Sequence, residues 1–220
     1  MAIRAVVFDI GGILENIPGG GDPTKRFPEM MARWAARLGM ESVECDARLR
    51  AMDERLRSRG KDRGDGTLLE AEWWAELRSS LGWDQAQEDA CRRDFWDVYC
   101  GSLNLELATY FGSLRPHYRT ALLSNSFDGA RREEEACYHL SELTDLIIYS
   151  HEVGMAKPDP RIFALTCERL DAQPDEVIFL DDVEGHVAAA SACGIHAILF
   201  RDNVQAIAAI QALLTAPRDR

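Results

Sequence analysis

A small set of polar residues stands just after short apolar runs, and their types suit chemistry at phosphorus. Asp9 closes the run in "VVFDIGGIL"; Ser124, Asn125 and Ser126 end "ALLSNS"; Asp181 and Asp182 end "VIFLDD"; Lys157 lies in "GMAKPDP", shortly after "LIIYS". An aspartate can attack phosphorus, a hydroxyl can donate to a phosphoryl oxygen, and an ammonium can neutralise it. Two adjacent carboxylates at a buried strand end repel each other unless a cation or base is close. Taken singly, each residue has an ordinary explanation, since Asp, Ser and Asn after a strand are commonly turn formers or helix caps. Lys157 is less ordinary, because only Lys25, Lys61 and Lys157 among the 25 basic residues are lysine. Mg²⁺ takes oxygen ligands and keeps several waters, so two carboxylates and one backbone carbonyl would be a sufficient protein share.

The elements that would gather these residues are legible as runs. "IRAVVFD", "RTALLS", "LIIYS", "VIFLD" and "HAILF" read as buried parallel strands. Helical patterns follow the last four, at about residues 127 to 140, 160 to 171, 184 to 193 and 203 to 214. Strand alternating with helix implies an α/β fold, a doubly wound parallel sheet with right-handed crossovers. Ligands of such a sheet sit beyond the carboxyl ends of its strands. Asp9, Ser124, Lys157 and the Asp181–Asp182 pair are therefore expected at a single edge.

Residues 15–104 have a different character. They hold all five tryptophans and read as helices only, which divides the chain into a core of residues 1–14 and 105–220 and a helical insert. Phe27, Met30, Met31, Trp34, Ala35 and Leu38 fall at helical spacing, and the Trp and Met stripes read as packing within the insert. Thr67 with Glu70, and Asp84 with Gln87, have capping-box spacing. The entry "NIPGGGDP" suggests a hinge for a lid that closes over the site, and "GKDRGDG" at 60 to 66 a loop. The tail "APRDR" is expected to fray.

Composition excludes several classes. A net charge of -12 argues against nucleic-acid and anionic-membrane surfaces, which reward a basic patch. No apolar run approaches the roughly 20 residues that span a bilayer, and the N-terminus lacks a signal peptide's apolar region, so a soluble, cytoplasmic protein is expected. The six scattered cysteines include no C-x-x-C pair and read as reduced structural thiols. Oligomeric state is open, a homodimer included.

In their order, "VVFDIGGIL", "ALLSNS", "GMAKPDPRIF" and "VIFLDDVEGHVAAASACGI" resemble the four motifs of the haloacid dehalogenase-like hydrolase superfamily, and the insert resembles its helical cap of the first type. The resemblance implies that Asp9 is the nucleophile and a Mg²⁺ ligand, and that Ser124 and Lys157 orient the phosphoryl group, with Asn125 among the phosphate-binding residues. It makes Asp182 a direct metal ligand and Asp181 a ligand directly or through water. The family's residue two after the nucleophile binds Mg²⁺ through its carbonyl and acts as general acid and base through its carboxylate; Gly11 keeps the first role and lacks the second. His186 stands where the family often has Asp or Asn. The implied activity is Mg²⁺-dependent hydrolysis of a small phosphorylated metabolite through an aspartyl phosphate. A catalytically silent phosphate- or Mg²⁺-binding protein and a 2-haloacid dehalogenase, which needs no leaving-group protonation, are the alternatives.

Overall fold

The computed structural model of the chain describes residues 2–16, 23–63 and 69–215. In chain order the elements are β1 (Ala5–Phe8), β2 (Glu15–Asn16), α1 (Pro23–Arg37), α2 (Ser42–Arg63), α3 (Glu70–Leu81), α4 (Gln85–Cys100), β3 (Ser102–Leu103), α5 (Leu105–Leu114), β4 (Arg119–Ser124), α6 (Ala130–Tyr138), α7 (Leu140–Leu143), β5 (Leu146–Tyr149), α8 (Ser150–Val153), α9 (Pro160–Leu170), β6 (Val177–Asp181), α10 (Glu184–Ala192), β7 (His196–Leu199) and α11 (Asn203–Thr215).

The five expected strands form one parallel sheet in the order β5-β4-β1-β6-β7. β1 carries no polar side chain and is buried throughout, as a central strand covered on both faces must be. Alternate side chains point to opposite faces. Val7, Leu123, Ile148 and Phe179 meet Ile162 and Phe163 of α9 on one. On the other, Phe8 stacks on Phe111 of α5 with ring centroids 4.5 Å apart. Register then places the strand ends: Phe8 pairs with Leu122 and with Leu180, so the next residues, Asp9 and Asp181, come level on adjacent strands. Ser124 ends β4 in register with Tyr149.

The opposite end of β4 is tied by Asp145. Its carboxylate accepts from the Thr120 N–H at 2.9 Å and from Arg115 Nε at 2.9 Å. Burial works to raise this carboxyl, but those hydrogen bonds outweigh it and hold Asp145 below its ordinary value of 3.8. A depressed folded value stabilises above the unfolded one and fades as pH falls through the folded one. Asp145→Ala is therefore expected to cost about 1–2 kcal/mol at pH 7, and the gap to the unmodified chain should close below pH 3.8. Urea denaturation at both pH values checks this; a gap that persists in acid would mean that packing, not the charge, is lost.

The chain divides into two compact units, one of Met1–Asn16, Ser102–Ser126 and Glu134–Arg220, the other of Ile17–Gly101 and Phe127–Glu133. The two-residue strands β2 and β3 pair antiparallel and close the first unit where the chain leaves and re-enters it. In the second unit, Met30, Met31, Trp34, Trp74, Leu77 and Cys91 pack into one cluster, so the Trp and Met stripes are core. Burial pushes the Cys91 thiol up to about 12, which makes it a packing residue. No described helix is long and apolar enough to cross a membrane.

Of the local expectations, one cap forms as expected, and the α3 cap, the 127–140 helix and the 60–66 loop meet a different structure. The Asp84–Gln87 capping box forms, each side chain meeting the other residue's N–H at 2.8 Å. At α3 no such box is seen: Thr67 lies outside the described residues, and the Glu70 N–H is taken by Asp128 at 3.0 Å, a partner 58 residues away. The Glu70 carboxylate accepts instead from Trp74 Nε1, Trp96 Nε1 and Arg132. The helix expected at 127 to 140 begins at Ala130, after Gly129 (φ +96°), and stops at His139, whose left-handed backbone (φ 52°) separates α6 from α7. α2 continues to Arg63, so the first four residues of the loop expected at 60 to 66 are helical; Gly64 to Gly66 lie outside the described residues. So do most of the expected hinge, residues 17–22, and the tail, 216–220, together with the side chains of Lys25, Phe27 and Lys61.

Candidate active site

Asp9 stands immediately beyond β1 and is 7% exposed. One carboxylate oxygen, Oδ1, accepts the Ile10 N–H at 2.8 Å and lies 2.8 Å from Lys157 Nζ. The other, Oδ2, has no hydrogen bond among the described residues. Lys157 is buried and reaches Asp181 Oδ2 at 2.7 Å, so one ammonium bridges two carboxylates from neighbouring strands. Asn125 fixes that lysine: its Nδ2 donates to the Lys157 carbonyl and its Oδ1 accepts the Lys157 N–H, both at 2.8 Å.

A single positive charge between two negative ones can satisfy only one of them. Asp181 takes the larger share. Burial opposes its ionisation, but His186, Lys157 and the Val183 N–H outweigh that and hold it below the ordinary carboxylate range. Its Oδ1 accepts from Val183 N–H at 2.8 Å, and His186 Nδ1 lies 3.1 and 3.2 Å from its two oxygens. Asp9 is the loser: burial raises it, Lys157 only partly offsets this, the neighbouring Asp181 adds to the rise, and the carboxyl titrates at about 6. Asp182 is likewise raised, by burial first and then by Asp181.

The loop after Asp9 makes room for this charge. Gly12 has φ +73°, and a Cβ there would stand 2.3 Å from Asp182 Oδ2, so only glycine lets that carboxylate lie against the loop. Gly11 is outside the left-handed region, and the nearest atom to a Cβ placed on it would be Glu15 Oε2, at 4.0 Å. Asp9, Asp181 and His186 each offer a ligand atom within 4.8 Å of the others.

Of the residues picked from sequence, Asp9, Lys157 and Asp181 touch directly, and Asn125 touches Lys157 through its backbone. Ser124 is buried at the end of β4, its hydroxyl in no hydrogen bond among the described residues. Asp182 lies over Gly12 and outside the tight cluster, where His186 takes the third place. His186 is thus an Asp181 partner. Ser150 and His151, which the apolar-run pattern does not single out, follow β5 at the same sheet edge: Ser150 Oγ accepts the Ser126 N–H at 2.9 Å, and His151 Nδ1 is 3.1 Å from Ser126 Oγ. Their place just after a strand was the available signal.

The haloacid dehalogenase-like hydrolase family model matches residues 3–194. The chain belongs to that family. Among its relatives, bifunctional epoxide hydrolase 2 of Sus scrofa is 28% identical over 94% of this chain, which spans 38% of that protein's length. Phosphatase MT3486 of Mycobacterium tuberculosis is 28% identical over 90% of this chain and 88% of its own. A HAD family enzyme of Bacteroides thetaiotaomicron, solved with magnesium and inorganic phosphate, has a TM-score of 0.66 at 23% identity over 92% of this chain and 96% of that one. This last likeness establishes the shared HAD fold: a parallel sheet of five strands flanked by helices.

Proposed function

We propose that this hydrolase is a Mg²⁺-dependent phosphatase acting on a small phosphorylated metabolite through an aspartyl phosphate on Asp9. The observation that carries the reading is the division of labour on that carboxylate: Oδ1 is held by Ile10 and Lys157, and Oδ2 is left for attack. The donor set suits the cation. Asp9, Asp182 and the Gly11 carbonyl offer oxygens, which hard divalent cations prefer, and one ammonium leaves the carboxylates under-neutralised. Bound there, Mg²⁺ would neutralise charge on the phosphoryl oxygens.

The chain's own groups supply the rest. Lys157 attracts the phosphoryl oxygens, the Ser124 hydroxyl donates to one of them, and Asn125 keeps Lys157 in place. Asp181 acts mainly on the lysine, since Lys157, Val183 and His186 already occupy both of its oxygens. Oδ2 of Asp9 attacks phosphorus in line with the departing oxygen; water then attacks the same phosphorus, freeing phosphate and the carboxylate. Gly11 favours a second reading, displacement of halide from a 2-haloacid, because that leaving group needs no proton.

The deciding assay is a panel of phosphate esters run with Mg²⁺ and with EDTA, a 2-haloacid alongside. Phosphate release that requires Mg²⁺ supports the phosphatase. Halide release undiminished in EDTA would replace it with the dehalogenase, and silence on every substrate would point to a binding protein.

A further inference from the structure

The mechanism above leaves one buried acid of the catalytic loop unused. Glu15 is 4% exposed. Its backbone is tied to that loop, with its N–H donating to the Ile10 carbonyl at 3.1 Å, a bridge to Gly11, and β-pairing to Leu103 on the far side. Its Oε2 stands 4.0 Å from where a side chain on Gly11 would begin. The backbone at Gly11 is one that any residue can adopt, so the glycine is not there for its φ angle. What its bare Cα does is open space beside the Glu15 carboxyl, two residues after the nucleophile.

Hydrolysis of an alkyl phosphate gains most from an acid there. Breaking the P–O bond of an alkyl ester leaves a full charge on the departing oxygen, and a positioned proton donor is worth about 10²- to 10⁴-fold. Asp9 is the attacking group, Asp181 is held by Lys157, Val183 and His186, and Asp182 lies over Gly12. We propose that Glu15 is the general acid and base of this enzyme, delivered from position 15 into the space left by Gly11. The inference rests on the phosphatase reading and deepens it. In the first step the protonated Glu15 gives its proton to the leaving oxygen as that oxygen separates from phosphorus and the alcohol departs. In the second step the Glu15 carboxylate takes a proton from water as the water oxygen bonds phosphorus and the Asp9–phosphorus bond breaks. Both carboxyls are thereby restored.

The test uses Glu15→Gln and, separately, Gly11→Asp, on aryl and alkyl phosphates of graded leaving-group pKa with Mg²⁺ present. In Glu15→Gln, turnover of alkyl esters should fall about 10²- to 10⁴-fold. An aryl ester with a good leaving group should still give a rapid burst of one phenolate per enzyme, followed by slow turnover. Gly11→Asp with Glu15 intact should leave the alkyl-to-aryl rate ratio within about threefold, because a donor is already present; this second variant decides the matter even if Glu15→Gln folds poorly. A gain of about 10²-fold on alkyl esters from Gly11→Asp would overturn the proposal, as would equal slowing of all esters by Glu15→Gln without a burst. If the unmodified protein releases phosphate from no ester, the phosphatase reading itself fails, an outcome distinct from either.

Discussion

Asp9→Asn is expected to reduce phosphate release by about 10⁴-fold or more, the scale on which loss of a covalent nucleophile is felt. The amide is a poor nucleophile and a weaker ligand for a cation, and no other described carboxylate presents an oxygen on the same strand end. Folding should not suffer. Asp9 titrates at about 6 in place of the ordinary 3.8, so its ionised form is a strained one in the folded chain. A raised folded value means that the stabilising contribution is complete below pH 3.8 and is lost as pH rises through about 6. Asparagine does not titrate. Measured in EDTA, the variant should therefore gain stability relative to the unmodified chain between pH 4 and pH 7. Denaturation midpoints at the two pH values provide the check, and a variant less stable at pH 7 would mean that the charge of Asp9 is needed to hold Lys157.

The strands were readable because each is a short apolar run closed by polar residues, and because a parallel sheet buries both faces. That same pattern located Asp9, Ser124 and Asp181, for the residue ending each run is the residue at the ligand edge. Pairings between distant, short segments left no such trace. β2 and β3 are two residues each, and Glu15 meets Leu103 across 88 residues of sequence, so neither has a period to detect. The spacing of Thr67 and Glu70 predicts a local cap, yet Asp128 takes the Glu70 N–H from the segment before α6, where the pattern predicts one continuous helix. Asn125 is expected near phosphate as an amide at a strand end; in the structure its amide meets the Lys157 backbone, a contact that the sequence pattern does not show. Which partner a polar side chain finds depends on three-dimensional neighbours, whereas the sheet edge on which it sits depends mainly on its own strand.

Lys157→Met is expected to be among the most destabilising single changes at this edge, and to abolish activity as well. Methionine fills a similar volume against Phe179, whose ring centroid lies 5.5 Å from Nζ, so the packing loss is small and the electrostatic loss dominates. What remains is Asp9 beside Asp181, both buried, with the bridging ammonium gone. Removing one partner from a buried ion pair costs about 3–5 kcal/mol, and here two carboxylates are left facing each other. The protein can relieve this by taking up a proton, which raises the folded values of the pair above their unfolded ones. By the linkage sign, the deficit is then largest at neutral pH and shrinks as pH falls toward the unfolded carboxylate value. Urea denaturation in EDTA should show a loss of several kcal/mol at pH 7 and a clearly smaller one at pH 5. Mg²⁺ should restore part of the stability at pH 7, because a divalent cation near the same carboxylates takes over the neutralising role, but it should not restore phosphate release, which also needs the ammonium on the phosphoryl oxygens. A variant as stable as the unmodified chain at pH 7 in EDTA would show that His186 and the backbone N–H groups suffice to hold the two carboxylates. The Lys157 ammonium would then not be what holds Asp9 and Asp181 together.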